Sequence, residues 1–277
     1  MRPKIIEFLN ETFGTHGAAW LVPTPALVYG VAVLAVLAVY VTRSRASGLS
    51  LYHALGSAVW ATIGGLVGAR VIYLVLRVDQ VVRDPSMLWD LSGTTMSWGA
   101  YLGGGLGFTL YLVVNRQSLC RYADVVGSTF GLGPFIGRFA CFLNGDDYGR
   151  ISDVPWAVTY PQGSIPFADH LRQGLLQPGA QESLAVHPVQ LYLAANGLAL
   201  FLLFSWLWRR AKLPPGTVFL LCWAAYGATR FGFEFFRGDV ERVFVGGFPD
   251  AQIIALVICV GSIAAVVVRV GRGRVVV

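Results

Sequence analysis

Seven apolar stretches, each close to the roughly 20 residues a helix needs to cross a bilayer, occupy most of this 277-residue sequence. They fall at about 24–42, 53–76, 96–115, 122–143, 187–208, 215–236 and 249–268, the third and fourth diluted by glycine and polar residues. Composition agrees with a membrane location: 55% of the residues are hydrophobic and 13% charged, where a soluble domain carries about 25% charged residues. The expected class is therefore all-α: a polytopic membrane protein of about seven transmembrane helices. One integral membrane domain is expected over 1–277. Its first four helices lie in 24–143, its last three in 187–268, and the proline-bearing connection 144–186 forms a small folded head outside the membrane. Residues 1–22 read as an amphipathic segment at the interface, and the opening Met1-Arg-Pro-Lys-Ile-Ile is too short and broken for a cleaved signal peptide.

Charge sets the expected orientation. One set of connections carries Arg43, Arg45, Arg116, Arg121, Arg209, Arg210, Lys212, Arg269, Arg272 and Arg274, with Asp124 the only acid nearby. The other carries eight bases, Arg2, Lys4, Arg77, Arg83, Arg150, Arg172, Arg237 and Arg242, among thirteen acids. The first set sits in short loops, where lysine and arginine hold the cytoplasmic side. The N-terminus is thus expected outside and the C-terminus in the cytoplasm, which turns the head toward the periplasm. The net charge of +6 follows from that bias and calls for no nucleic acid.

Three further arginines, Arg70, Arg138 and Arg230, fall inside spans, where a charge costs roughly 2.5–3.5 kcal/mol on insertion scales. Glu234 follows Arg230 by four residues and Tyr226 precedes it by four, so the sixth span presents the three as one stripe. An Arg230–Glu234 pair that only packs helices is one reading. The second span offers Arg70 no acid, and Asp124 lies roughly 20 Å along the fourth helix from Arg138. A bound anion would answer both, and a guanidinium fork suits phosphate. Near the outer surface that anion is a phospholipid head group. The glycines of spans two to four, Gly64, Gly65, Gly68, Gly99, Gly103, Gly104, Gly105, Gly107, Gly131, Gly133 and Gly137, fit close helix packing as well as a cavity. His187 and Pro188 open the fifth span, the histidine as an anchor or hydrogen-bonding group; His16, His53 and His170 form no pattern. Cys120, Cys141, Cys222 and Cys259 show neither paired nor metal-ligand spacing.

Three ordered segments carry a resemblance. Gly137-Arg138-Phe-Ala-Cys-Phe-Leu-Asn144-Gly145-Asp146-Asp-Tyr-Gly149-Arg150, His187-Pro-x-Gln190-Leu-Tyr192 and Tyr226-Gly-x-x-Arg230-Phe-x-x-Glu234-Phe-x-Arg237 resemble the motifs of the prolipoprotein diacylglyceryl transferase family. Shorter matches are Tyr29-Gly30, Ile63 to Arg70, and Met96-Ser97 with the glycines after it. The resemblance implies an enzyme of the bacterial inner membrane. It would move a diacylglyceryl group from phosphatidylglycerol to the lipobox cysteine thiol of a secreted precursor, releasing glycerol 1-phosphate with no metal or soluble cofactor. Carried onto these positions, Arg138 and Arg230 would meet the phosphate as it leaves. Tyr226 and Tyr29 would hydrogen-bond substrate, and Glu234 would orient Arg230. Asn144, Gly145, Asp146, Gly149 and Arg150 would shape the head-group loop, with Arg70, His187 and Gln190 as further substrate-binding candidates.

The chain departs from the pattern at three points. Met96-Ser97-Trp98-Gly99-Ala100-Tyr101 lacks the histidine that members often carry there, Cys141 stands where many have asparagine, and Leu193 follows the second motif where an acid is common. The thiol must still become a thiolate, through the local positive field or a group such as Tyr101. A non-catalytic or substrate-altered lipid-binding paralogue is the alternative. A transporter of anionic solutes is the third reading, against which stands the absence of two similar halves.

Overall fold

The computed structural model describes residues 1, 4–5, 7, 24–89, 97–210, 212–239 and 247–273. Among these the regular structure is helical: α1 Pro25–Ala46, α2 Leu51–Val75, a short α3 Val78–Arg83, α4 Ser97–Val114, α5 Leu119–Thr129, α6 Leu132–Asn144, α7 Ile165–Arg172, α8 Val189–Arg210, α9 Thr217–Phe233 and α10 Asp250–Gly273. Among the described residues, extended backbone pairs only in isolated bridges. Helices α1, α2, α8 and α10 are each long and apolar enough to cross a membrane, and the bent pair α5–α6 makes a fifth candidate. The N-terminal segment expected at the interface, Met96 and Arg274 lie outside the described residues or are touched only at single positions.

The fourth expected span, 122–143, is not one helix. It breaks into α5 and α6, bent by 43°. Pro134 has no N–H to donate and its ring crowds the carbonyl four residues back, that of Phe130. Gly131 sits at the same break with its Cα against α8: a Cβ there would lie 2.3 Å from the Gly197 carbonyl oxygen and 2.5 Å from the Phe201 nitrogen. The break is therefore locked by packing as well as by proline.

The chain divides into two compact units, residues 39–125 and residues 1–38 with 126–277. In the first, α2 and α4 pack antiparallel through a glycine seam. A Cβ on Gly64 would come within 2.3 Å of the Gly103 carbonyl oxygen, and one on Gly68 within 2.3 Å of that of Gly99. Small residues every fourth position let the two backbones touch, so close packing is what these glycines do. Tyr40 also hydrogen-bonds Ser57 at 2.9 Å in this unit.

In the second unit α6 packs on α8 and α9 on α10. A polar tie joins α8 to α9, where the Asn196 amide donates to Thr229 at 3.1 Å. Leu200, Phe204, Val218 and Cys222 form the apolar core between those helices. The first half of α1 runs against α6, with Val36 beside Gly133 and the Tyr29 ring beside Gly137. The connection after α6 is folded: Tyr148, Tyr160 and Val186 are buried together. The Ser164 side chain caps α7 through the Phe167 N–H. None of the four cysteines forms a disulfide, and Cys141 and Cys222 are buried.

Candidate functional site

The C-terminal ends of α6 and α9 and the N-terminus of α8 bring the candidate residues of the second unit together. Helix α6 ends at Asn144 because Gly145 adopts φ +86°, a left-handed cap whose N–H returns to the Cys141 carbonyl at 2.8 Å. Only glycine takes that conformation without cost. The turn throws Asp146 and Asp147 back over the helix end. Asp147 has φ 53°, a region that aspartate and asparagine enter more readily than other side chains.

Arg138, about two turns before the cap, is paired with Asp147. The expectation that Arg138 lacks a protein partner is thereby corrected: its acid comes from the loop beyond the helix rather than from Asp124. The second oxygen of Asp147 accepts from the Arg237 guanidinium at 2.6 Å. Arg237 also binds Asp239 at 2.7 Å and stands 4.0 Å from Glu234. Glu234, in a 3-10 turn that continues α9, holds Arg230 in the i,i+4 pair foreseen from spacing; their side chains are 1% and 8% exposed. A continuous chain of alternating charge thus runs Arg138, Asp147, Arg237, Glu234, Arg230. Tyr226 lies within electrostatic reach of Arg138 and packs edge-on to Phe130 at 5.0 Å. Tyr29, from α1, places its hydroxyl 3.2 Å from the Cys141 sulfur, toward which Arg138 also points at 3.9 Å.

The two loop carboxylates differ. Burial pushes Asp147 up, but Arg138 and then Arg237 outweigh it and hold its carboxyl below the usual range. Asp146 is raised, by burial first and by the neighbouring Asp147 charge, against the Asn144 amide. That amide donates to Asp146 at 3.2 Å, while Oδ1 of Asp146 is buried with no hydrogen-bond partner among the described residues.

Gln190, fully buried, fastens the loop. Its amide nitrogen donates to the Asp146 carbonyl at 2.7 Å and to the Tyr160 hydroxyl at 3.0 Å, and its own oxygen is buried without a partner among the described residues. Gly149 is required by contact: a Cβ there would fall 2.3 Å from the His187 carbonyl oxygen, to which the Gly149 N–H donates at 3.1 Å. His187 is a framework residue in this arrangement, 3.2 Å from the Tyr192 hydroxyl and edge-on to Phe236. Arg150 spans the loop and the end of α9, its backbone N–H on the Phe236 carbonyl at 2.8 Å and its side chain on that of Arg237 at 3.3 Å. A cavity of about 310 Å³ opens here beside Tyr148, Arg150, His170 and Gln173.

Arg70 belongs to the other unit. It donates to the Met87 carbonyl and stands 5.3 Å from the centre of the Tyr73 ring. The residues that sequence reasoning passed over are Asp147, Arg237 and Asp239. Their signal was present as charge: two acids and a base beside two arginine-bearing helix ends.

The profile of the family described as prolipoprotein diacylglyceryl transferase matches residues 20–268. Proteins named phosphatidylglycerol–prolipoprotein diacylglyceryl transferase are similar over much of the chain. The Clostridium tetani protein is 26% identical over 92% of this chain and 93% of its own. That of Rhodospirillum rubrum is 35% identical over 76% and 74%, and that of Corynebacterium glutamicum 29% over 90% and 80%. With its motif residues gathered at the ends of α6, α8 and α9 and the family profile spanning all of them, this chain belongs to the prolipoprotein diacylglyceryl transferase family.

Proposed function

We propose that this chain transfers the diacylglyceryl group of phosphatidylglycerol to the lipobox cysteine thiol of secreted prolipoproteins, with glycerol 1-phosphate leaving. Membership of the family and the names of the relatives support the reaction. The observation that carries the site is the ion-pair chain joining Arg138 to Arg230 through Asp147, Arg237 and Glu234. In the reaction the precursor's sulfur forms a bond to the glyceryl carbon, and the carbon–oxygen bond to phosphate breaks. Negative charge then grows on phosphate oxygens, and guanidiniums positioned beside them stabilise it. Arg138 and Arg230 take that role, with Glu234 orienting Arg230. Tyr226 and Tyr29 hydrogen-bond substrate, and Asn144, Gly145, Asp146, Gly149, Arg150, His187 and Gln190 keep the loop in shape over it. Arg70 stays a candidate for substrate contact within its own unit. A nearby guanidinium field favours the thiolate.

The chain is further read as a single integral membrane domain of the bacterial inner membrane with seven crossings: α1, α2, α4, the bent α5–α6, α8, α9 and α10. At 17 residues α9 is at the short end of what spans. The clustering of bases at the ends of α1 and α8 supports a cytoplasmic C-terminus, an outer N-terminus and a periplasmic 144–186 head.

The test is lipidation of a lipobox precursor in a transferase-deficient strain. The wild-type chain should restore it. Arg138→Ala and Arg230→Ala should each abolish it while the protein still inserts; normal lipidation by both would remove the assignment.

A further inference from the structure

Arg138, Arg230 and Arg237 face Asp147, Glu234 and Asp239 in the ion-pair chain. Three positive and three negative charges sum to zero. A phosphate entering this chain brings a charge that its arginines already spend on carboxylates, so a carboxylate has to withdraw. The three are not equally able to do so. Glu234 is 1% exposed and is held at the foot of α9. Asp239 pairs with Arg237, two residues away in sequence, and with no other base among the described residues. Asp147 is 28% exposed and lies between arginines from two separate segments, giving one oxygen to each. Two oxygens of one anion shared between two guanidiniums is also how a phosphodiester's free oxygens are held.

We propose that Asp147 occupies, in the lipid-free protein, the seat that the phosphodiester of an anionic lipid takes between Arg138 and Arg237, and that it moves out to water when the lipid binds. This rests on the phosphate role given above to Arg138 and adds Arg237 as a second ligand. The exchange has a physical use. Two guanidiniums left bare in a half-buried site would repel one another and lose hydration together; a resident carboxylate prevents that. A partly exposed aspartate on a turn regains water easily as it leaves, so the lipid replaces one anion with another rather than adding charge to a dry site.

The full-length protein, reconstituted in discs of neutral phosphatidylcholine, is titrated with soluble dihexanoyl phosphatidylglycerol and, in parallel, with inorganic phosphate. Asparagine tolerates the left-handed backbone at 147, so Asp147→Asn removes the competing charge and keeps the turn. Its Kd for the lipid should fall about tenfold, the scale of one charge-assisted hydrogen bond. Arg237→Gln should raise Kd by a similar factor. An unchanged or weaker affinity in Asp147→Asn overturns the proposal. Should that variant fail to fold, Arg237→Gln decides, and undiminished binding overturns it. A shift for inorganic phosphate with none for the lipid assigns the seat to free phosphate and overturns the lipid's claim to it. A chain that binds in the expected order but transfers nothing sinks the transferase reading and leaves the seat. A chain that transfers with the same Kd in all three proteins does the reverse.

Discussion

Asp146 and Asp147 are neighbours in sequence and opposites in environment. Asp147 spends its charge on two arginines, whereas Asp146 buries one oxygen without a partner among the described residues. The raised carboxyl of Asp146 means that the folded protein holds that proton more tightly than the unfolded chain does. The cost of ionising it is absent at low pH and fully felt once pH exceeds the raised value. Asp146→Asn should therefore melt at a higher temperature than wild type at pH 7, and the advantage should vanish as pH falls to about 4, the ordinary carboxylate value. Melting curves from pH 4 to 8 check this. Lipidation should drop in the same variant, since the carboxylate is retained at a cost to stability. Residue type could not separate these two acids. What decides which of them meets Arg138 is the left-handed pair Gly145 and Asp147, a matter of backbone that adjacent identical side chains do not reveal. The Arg230–Glu234 pair was legible, because spacing of four on a helix fixes the neighbour.

At the scale of the elements, the α2–α4 seam is the clearest consequence of small residues. Gly103→Ala would put a Cβ 2.1 Å from the Gly64 carbonyl oxygen, whereas Gly105, two residues on, faces open space. The first substitution should destabilise by about 1–3 kcal/mol, the usual cost of overpacking, and the second should be neutral. Thermal unfolding of both variants in detergent, read as loss of soluble folded protein, distinguishes them. Glycine spacing announced close packing in the sequence; it did not say that α2 and α4 were the partners, because a small residue marks a contact without naming the opposite face. The break between α5 and α6 has its cause in Pro134 and Gly131, yet hydrophobicity runs on across it and predicts one span. The ends of the other long helices were readable to within about five residues, where prolines, glycines and terminal arginines punctuate the chain.

At the scale of the whole molecule, the proposed orientation puts the connection between α6 and α8 outside the cell membrane. Gln177 is exposed there. A Gln177→Cys variant should react with a membrane-impermeant maleimide in intact spheroplasts, above the background of the native cysteines. Labelling only after lysis would reverse the topology. The polar interval with prolines was legible in the sequence, and its buried tyrosines were not, since their partners come from distant positions.

The bend at Gly131 also bears on the bilayer itself. Run straight, Leu119 to Asn144 would measure about 39 Å, well beyond a hydrocarbon layer of about 30 Å; folded by 43°, it comes closer to a match. In the crossing proposed for α5–α6, a mismatch in lipid thickness would load this elbow, and Arg138 sits midway along its α6 arm.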